Sequence, residues 1–339
     1  MRIDMHAHLI PEPLLREIQG APERCPVRVE EKDGVLWFRH EQGYQYPVPA
    51  EFYDAGAIIA ALDRVGLDQR VFSLSPTLFF YERPQETRNR VCRLYNDAAA
   101  DLVQRNGGRI QAMAAVPLPD VAAAVKELER ALDLGLTGVE IGTNIERHTL
   151  DEPEFFPFFQ RCAELDVPVF LHPYYVGPKP MMERYYLTNS IGNPLDTAIA
   201  IASLIHGGVL ERLPRLKVVL AHAGGFFPYQ RGRLDHAFRV RREPRVSTSR
   251  TPSDHMAGVY YDSISHSGAA LRFLVESLGA GKVMLGSDAP FDMGPDDPSQ
   301  VVLEAGLDPA AMEAILGGNA LRLYRTGDAR QSRAASGRG

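Results

Sequence analysis

Cysteine is scarce in this chain, with three residues in 339, Cys25, Cys92 and Cys162. So few and so scattered, they form neither a disulfide framework nor a thiolate metal site, and they read as packing residues in a reducing compartment. Tryptophan is scarcer still, Trp37 standing alone. No apolar run approaches the ~20 residues that cross a bilayer, and the chain opens on a strand at Arg2 rather than on a basic region followed by an apolar one. Neither a membrane partner nor a leader is expected. Positive charge is not in excess: 37 Lys and Arg against 43 Asp and Glu leave a formal net charge of -6. Nucleic acid therefore has no electrostatic footprint to bind. A soluble cytoplasmic protein is expected, 45% hydrophobic and long enough to bury a large core.

What the chain does have is alternation. Short apolar runs (RIDMHAHLI, QRVFSLSP, IQAMAAVPL, TGVEIGTN, VPVFLHPYY, LKVVLAHAGG, VYYDSI and KVMLGSDAP) are separated by stretches with apolar residues at helical spacing, among them 55–65, 86–105, 195–213, 231–242 and 271–278. Short linkers between such units point to a parallel sheet with helical crossovers. Eight units in roughly 300 residues fit an α/β fold of the (β/α)8, TIM-like barrel kind, with an open doubly wound sheet as the alternative. The first strand is followed by no Gly-x-Gly-x-x-Gly, so the dinucleotide-binding form of the open sheet lacks support. Residues 24–52 break the pattern: two alternating runs flank Asp33-Gly34, a dipeptide suited to a tight hairpin, and read as a small β insertion after strand one. Residues 1–325 are then a single barrel domain. The small, polar, arginine-bearing tail 326–339 is expected to be disordered.

The chemistry sits at strand ends. His6 and His8, two apart on a strand, present their imidazoles to one face, a metal-ligand spacing. His172, His222 and Asp288 each end a later apolar run, and in a barrel the ends of different strands converge over one mouth. Imidazole and carboxylate suit a first-row divalent ion such as zinc, and the absence of thiolates points away from a closed structural site. An open position would hold a water whose pKa the metal lowers to about 7. His148, His206, His236, His255 and His266 fall in helices or loops and read as surface or satisfied histidines.

With those residues in place, the chain resembles the amidohydrolase superfamily. More narrowly, RIDMHAHLIP, VPVFLHP, AHAGG, GRLDHAF and VMLGSDAPF resemble the aminocarboxymuconate semialdehyde decarboxylase-like family over about Arg2 to Tyr324. The resemblance implies one divalent metal ion, zinc with manganese as the alternative, held by His6, His8, His172 and Asp288. It makes His222, beside Asp288, the catalytic general acid/base. The fourth strand, TGVEIGTN, lacks the lysine of two-metal relatives, and Glu140 or Asn144 is left as a possible mouth residue. The resemblance further implies a homodimer in which Arg233, with Arg241 two turns on, reaches a neighbouring subunit's site and holds a substrate carboxylate. Tyr46 stands where relatives carry a second substrate arginine. Tyr174, with Tyr175, Tyr185 and Tyr186, stands where tryptophans are frequent. The expected activity is non-oxidative decarboxylation of a small aromatic or muconate-semialdehyde-type carboxylic acid. Hydrolysis or hydration by the same metal centre is the alternative, and a non-catalytic metal-binding scaffold a third class.

Overall fold

Apolar runs become barrel strands here because both of their faces are covered. In the computed structural model, which describes residues 1–106, 108–174 and 180–325, all seven residues of β1 (Ile3–Leu9) are buried. The insertion then supplies β2 (Val27–Lys32), β3 (Val35–His40) and β4 (Gln45–Val48). The remaining strands are β5 (Gln69–Leu74), β6 (Ile110–Ala112), β7 (Ala114–Ala115), β8 (Val139–Gly142), β9 (Pro168–His172), β10 (Lys217–Leu220), β11 (Val259–Asp262) and β12 (Val283–Met284). The tail 326–339 and part of the loop that begins at Tyr175 lie outside the described residues.

β1, β5 and β6 pair in parallel, as do β7 through β12 in chain order. β6 and β7 are halves of one expected strand, interrupted at Met113, whose N–H reaches Phe72 O at 2.7 Å. At the other edge the Met5 N–H donates to Leu285 O at 2.9 Å and Ala7 bridges Ala289 in parallel, which joins the last strand to the first. The order is that of the expected eight-unit barrel, its interior filled by Ile3, Met5, Val71, Met113, Phe170, Val219 and Met284. A register shift in β1 between Asp4 and Ala7 lets His6 and His8 reach the mouth although Ile3 and Met5 fill the barrel below, the kind of re-aiming that bulges provide.

The hairpin forms around Asp33 (φ 52°) and Gly34 (φ 76°), both left-handed. A third strand, β4, pairs with β3. Its Pro47 suits an edge, which is why a proline-bearing run was not read as a strand. The helix expected over 195–213 divides instead into Asn193–His206 and Val209–Arg212. Gly208 sits between them at φ 76°, where a Cβ would lie 2.2 Å from Ser247 O. The basic-faced helix runs Phe227–Val240, four residues earlier than expected at its start. No helix among the described residues is long and apolar enough to cross a membrane.

Candidate metal and substrate site

β1, β9, β10 and the segment after β12 deliver His6, His8, His172, His222 and Asp288 to one end of the barrel. Ligand atoms of His6, His172, His222 and Asp288 all lie within 4.8 Å of one another. His8 belongs to the same cluster: its Nε2 is 3.2 Å from His6 Nε2 and 2.9 Å from Asp288 Oδ1. His222 Nε2 stands 3.4 Å from Asp288 Oδ2, and its side chain, 17% exposed, is the most open of the five.

The donor set fits a divalent cation. His172 donates its Nδ1 proton to Pro173 O at 2.8 Å, which leaves a buried Nε2 with no hydrogen-bond partner. His6 Nδ1 is likewise spent, on Asp262 Oδ2 at 2.7 Å. Two Nε2 atoms are therefore aimed into the cluster, that of His172 as a lone pair and that of His6 as the atom a cation would bind in place of its proton, each ring oriented by an outer partner in the manner of metal-binding histidines. Burial acts against charge on His6, yet its hydrogen bonds to Asp262 and Asp288 overcome that and hold its pKa up at about 10. The site favours positive charge. Burial also opposes charge on Asp288, but the imidazoles of His172, His222, His6 and His8 around it hold it well below the usual carboxylate range. His172 is driven well below the ordinary imidazole value by burial, as is His8 to a lesser degree, so both offer neutral rings.

Asp262, at the end of β11, was missed. Its Oδ2 accepts from His6 Nδ1 and from the His222 N–H, both at 2.7 Å, and its Oδ1 from the N–H groups of Ala223 (2.6 Å) and Ile264 (3.0 Å). The available signal was VYYDSI, another apolar run ending in a carboxylate. Glu140 is under the cluster rather than at the mouth. It is 2% exposed, accepts from Ser73 Oγ at 2.9 Å, and is pushed well above the carboxylate range by burial. Asn144 accepts from the Arg147 N–H and lines neither cavity described below.

Two cavities open over the cluster, of about 330 and 460 Å³. The first is walled by the insertion (Tyr44, Gln45), Thr77, Glu183, Tyr186 and Asp292. The second is more apolar, with Phe226, Tyr229, Ile264, Phe273 and Leu274. Tyr46 does not reach them; it lies one layer behind, 4% exposed, its hydroxyl bonded to Thr77 Oγ1 at 2.8 Å and Ser75 Oγ at 3.2 Å. Tyr174 is also behind the wall and donates to Glu82. Arg233 is exposed on the helix Phe227–Val240, and Arg241 pairs with Glu243. Neither arginine lines either of the two cavities over the cluster.

A parallel barrel with buried imidazoles and a carboxylate converging at one mouth is the ground plan of a metal-dependent barrel enzyme. This chain belongs to the amidohydrolase family, whose sequence signature matches residues 3–326. It is 34% identical over 333 residues to a 2-amino-3-carboxymuconate-6-semialdehyde decarboxylase of Dictyostelium discoideum, covering 95% of this chain and 90% of that protein. A 5-carboxyvanillate decarboxylase from Sphingomonas paucimobilis superposes with a TM-score of 0.79 at 25% identity, over 96% of this chain and 98% of that one. A dihydroxybenzoic acid decarboxylase from Polaromonas sp. JS666, solved with manganese and 2-nitroresorcinol, shares the fold at a TM-score of 0.79 and 22% identity, over 97% and 98% of the two chains.

Proposed function

We propose that the protein is a metal-dependent carboxy-lyase that removes carbon dioxide, without oxidation, from a small aromatic or muconate-semialdehyde-type acid. The observation that carries this is the buried cluster of four imidazoles and one carboxylate whose most open member, His222, faces both cavities. His6, His8, His172 and Asp288 hold the ion, zinc in our reading, with manganese as the competitor because the Polaromonas structure contains it. A divalent ion held there would supply positive charge that draws electron density from the bond to be broken. When that C–C bond breaks, its electron pair stays on the ring or chain carbon and the carboxylate leaves as carbon dioxide. His222 then delivers a proton to that carbon, while Asp288 Oδ2, 3.4 Å from Nε2, stabilises the protonated imidazole.

The described cavity walls contain no Lys or Arg, and carry Glu183 and Asp292. We therefore assign the missing cation to Arg233 of a second copy of the chain, in a cytoplasmic homodimer. Arg233 lies one helical turn from Tyr229, which is 78% exposed and contacts Phe273 across a ring separation of 6.2 Å. With Leu195, Ile199 and Phe226, these side chains form an exposed apolar face beside the second cavity. A guanidinium entering there holds an anionic group that stays on the product.

The test is a screen of metal-replete protein against muconate semialdehydes, hydroxybenzoates and pyridine-type acids, reading both absorbance loss and released carbon dioxide. Carbon dioxide in step with substrate loss is expected. Water uptake without carbon dioxide would assign a hydratase or hydrolase instead. Arg233→Ala chains mixed with His222→Ala chains regain activity if the site is shared, and stay inactive after subunit exchange if it is not.

A further inference from the structure

The two cavities share five residues: Asn189, Asn193, His222, Asp288 and Met293. Because His222 must reach the carbon that loses carbon dioxide, that carbon and its carboxylate lie at this junction. Met293 offers no donor, so apart from the His222 ring the two asparagines are the only neutral hydrogen-bond donors among the shared side chains. Among the described residues neither side-chain amide is engaged by the protein, although both are partly buried in the wall. An amide held at a reacting centre without a protein partner is free to bind what enters it.

Their placement is built in. Asn189 lies within a π-helical turn, Thr188–Gly192, that runs directly into the helix Asn193–His206, and such one-turn insertions recur where a side chain must be re-aimed at a site. The start of that helix is packed on the His222 turn: the Phe226 N–H donates to Pro194 O at 3.4 Å, and a Cβ on Gly225 would come within 2.2 Å of the same oxygen. Asn193 is thus fixed relative to His222 by backbone contact.

We infer that Asn189 and Asn193 orient the departing carboxylate of the substrate, an assignment that rests on the decarboxylase reading above. The physical reason for amides is the direction of charge flow. The carboxylate carries its negative charge in the bound acid and loses it as carbon dioxide forms, so a positively charged side chain on it, added to the ion at Asp288, stabilises the ground state more than the transition state and slows the step. A neutral amide fixes the carboxylate plane with a smaller bias of that kind. The absence of Lys and Arg from the described walls agrees with this.

The probes are the acid turned over in the screen and its own decarboxylated product, with 2,6-dihydroxybenzoate and resorcinol the first pair tried, titrated calorimetrically into metal-loaded protein. Asn193→Leu and Asn189→Leu should each weaken the acid by roughly 10-fold and leave the product's affinity unchanged, since only the acid carries the carboxylate. Two separate variants keep the question open to test if one fails to fold. Asn193→Lys should lower KM and lower kcat together, a split that a merely structural role does not produce. Equal weakening of acid and product, or no weakening of either, overturns the inference while the decarboxylase reading stands. If no acid is decarboxylated by the wild type, the reading falls and the inference with it.

Discussion

Replacing Asp262 by asparagine is the most informative single change, because it keeps the number of heavy atoms and Asp262 itself lines neither cavity. The carboxylate accepts two hydrogen bonds at each oxygen: His6 Nδ1 and the His222 N–H at Oδ2, the Ala223 and Ile264 N–H groups at Oδ1. An amide has one oxygen and one NH2. Turned either way, it sets its NH2 against two N–H donors, a buried conflict worth about 1–3 kcal/mol. The main-chain donors cannot change, but His6 can move its proton from Nδ1 to Nε2. The cheaper arrangement therefore places the NH2 toward His6, which becomes the Nε2–H tautomer and loses the lone pair aimed into the cluster. Removing such an outer partner typically costs 10–100-fold in metal affinity, or about 1.4–2.7 kcal/mol. Competition against a graded series of chelators reads this directly, and circular dichroism shows whether the fold is kept. A folded Asp262→Asn protein that binds metal as tightly as the wild type would refute the orientation of His6 argued here.

Three further outcomes are expected. His172→Ala and Asp288→Ala should each fold yet carry less than one metal ion per chain by elemental analysis, since each removes a ligand from an open site; full occupancy in either sinks the ligand assignment. His222→Ala should keep its metal and lose about 10²-fold to 10⁴-fold in turnover, whereas loss of the ion would make His222 a ligand. His40, buried against Tyr46 with its Nε2 unpartnered, has its pKa lowered by burial to about 4. Unfolded chains take up that proton below about pH 6.5 and the folded chain does not, so stability falls as pH drops from 6.5 toward 4. Urea denaturation at pH 7 and 4.5 should show the wild type losing about 2–3 kcal/mol more than His40→Phe, and equal losses would count against a neutral buried His40.

The strand-end residues were legible because each ends an apolar run, and a parallel strand covered on both faces has to be apolar until it reaches the mouth. His6, His8, His172, His222 and Asp288 stand out against such runs. Asp262 carried the same signal in VYYDSI, but its work is done through hydrogen bonds to backbone N–H groups and to one ring, and three of those four partners, His6, His222 and Ala223, are far from it in sequence. The walls of the cavities were less readable for a related reason. Gln45 reaches the site through pairing of β4 with β3, one residue before Tyr46 and so on the opposite face of the strand, while Tyr44 comes from the turn that leads into β4. Asn189 and Asn193 are polar residues in a polar stretch, and only the packing of Pro194 on Gly225 shows what they face.

The site residues divide by backbone as well. His6, His8 and His172 lie within β1 and β9, and none of them is left-handed. His222 (φ 54°), Ala223 (φ 55°) and Asp288 (φ 62°) are left-handed, which costs a non-glycine residue about 1–2 kcal/mol. The compensation is visible. Asp262 binds the N–H groups of both His222 and Ala223, and the Asp288 N–H donates to His6 O at 2.9 Å. The side chain assigned to proton transfer and the carboxylate beside it are thus the two held in strained turns, and each turn is fastened to His6 or to the carboxylate that orients His6. The strain persists only while those bonds are made, as expected where a site over-determines its backbone. One carboxylate thereby fixes a ligand ring and the turn carrying the acid/base together, so metal affinity and proton transfer in this barrel are set by the same four hydrogen bonds.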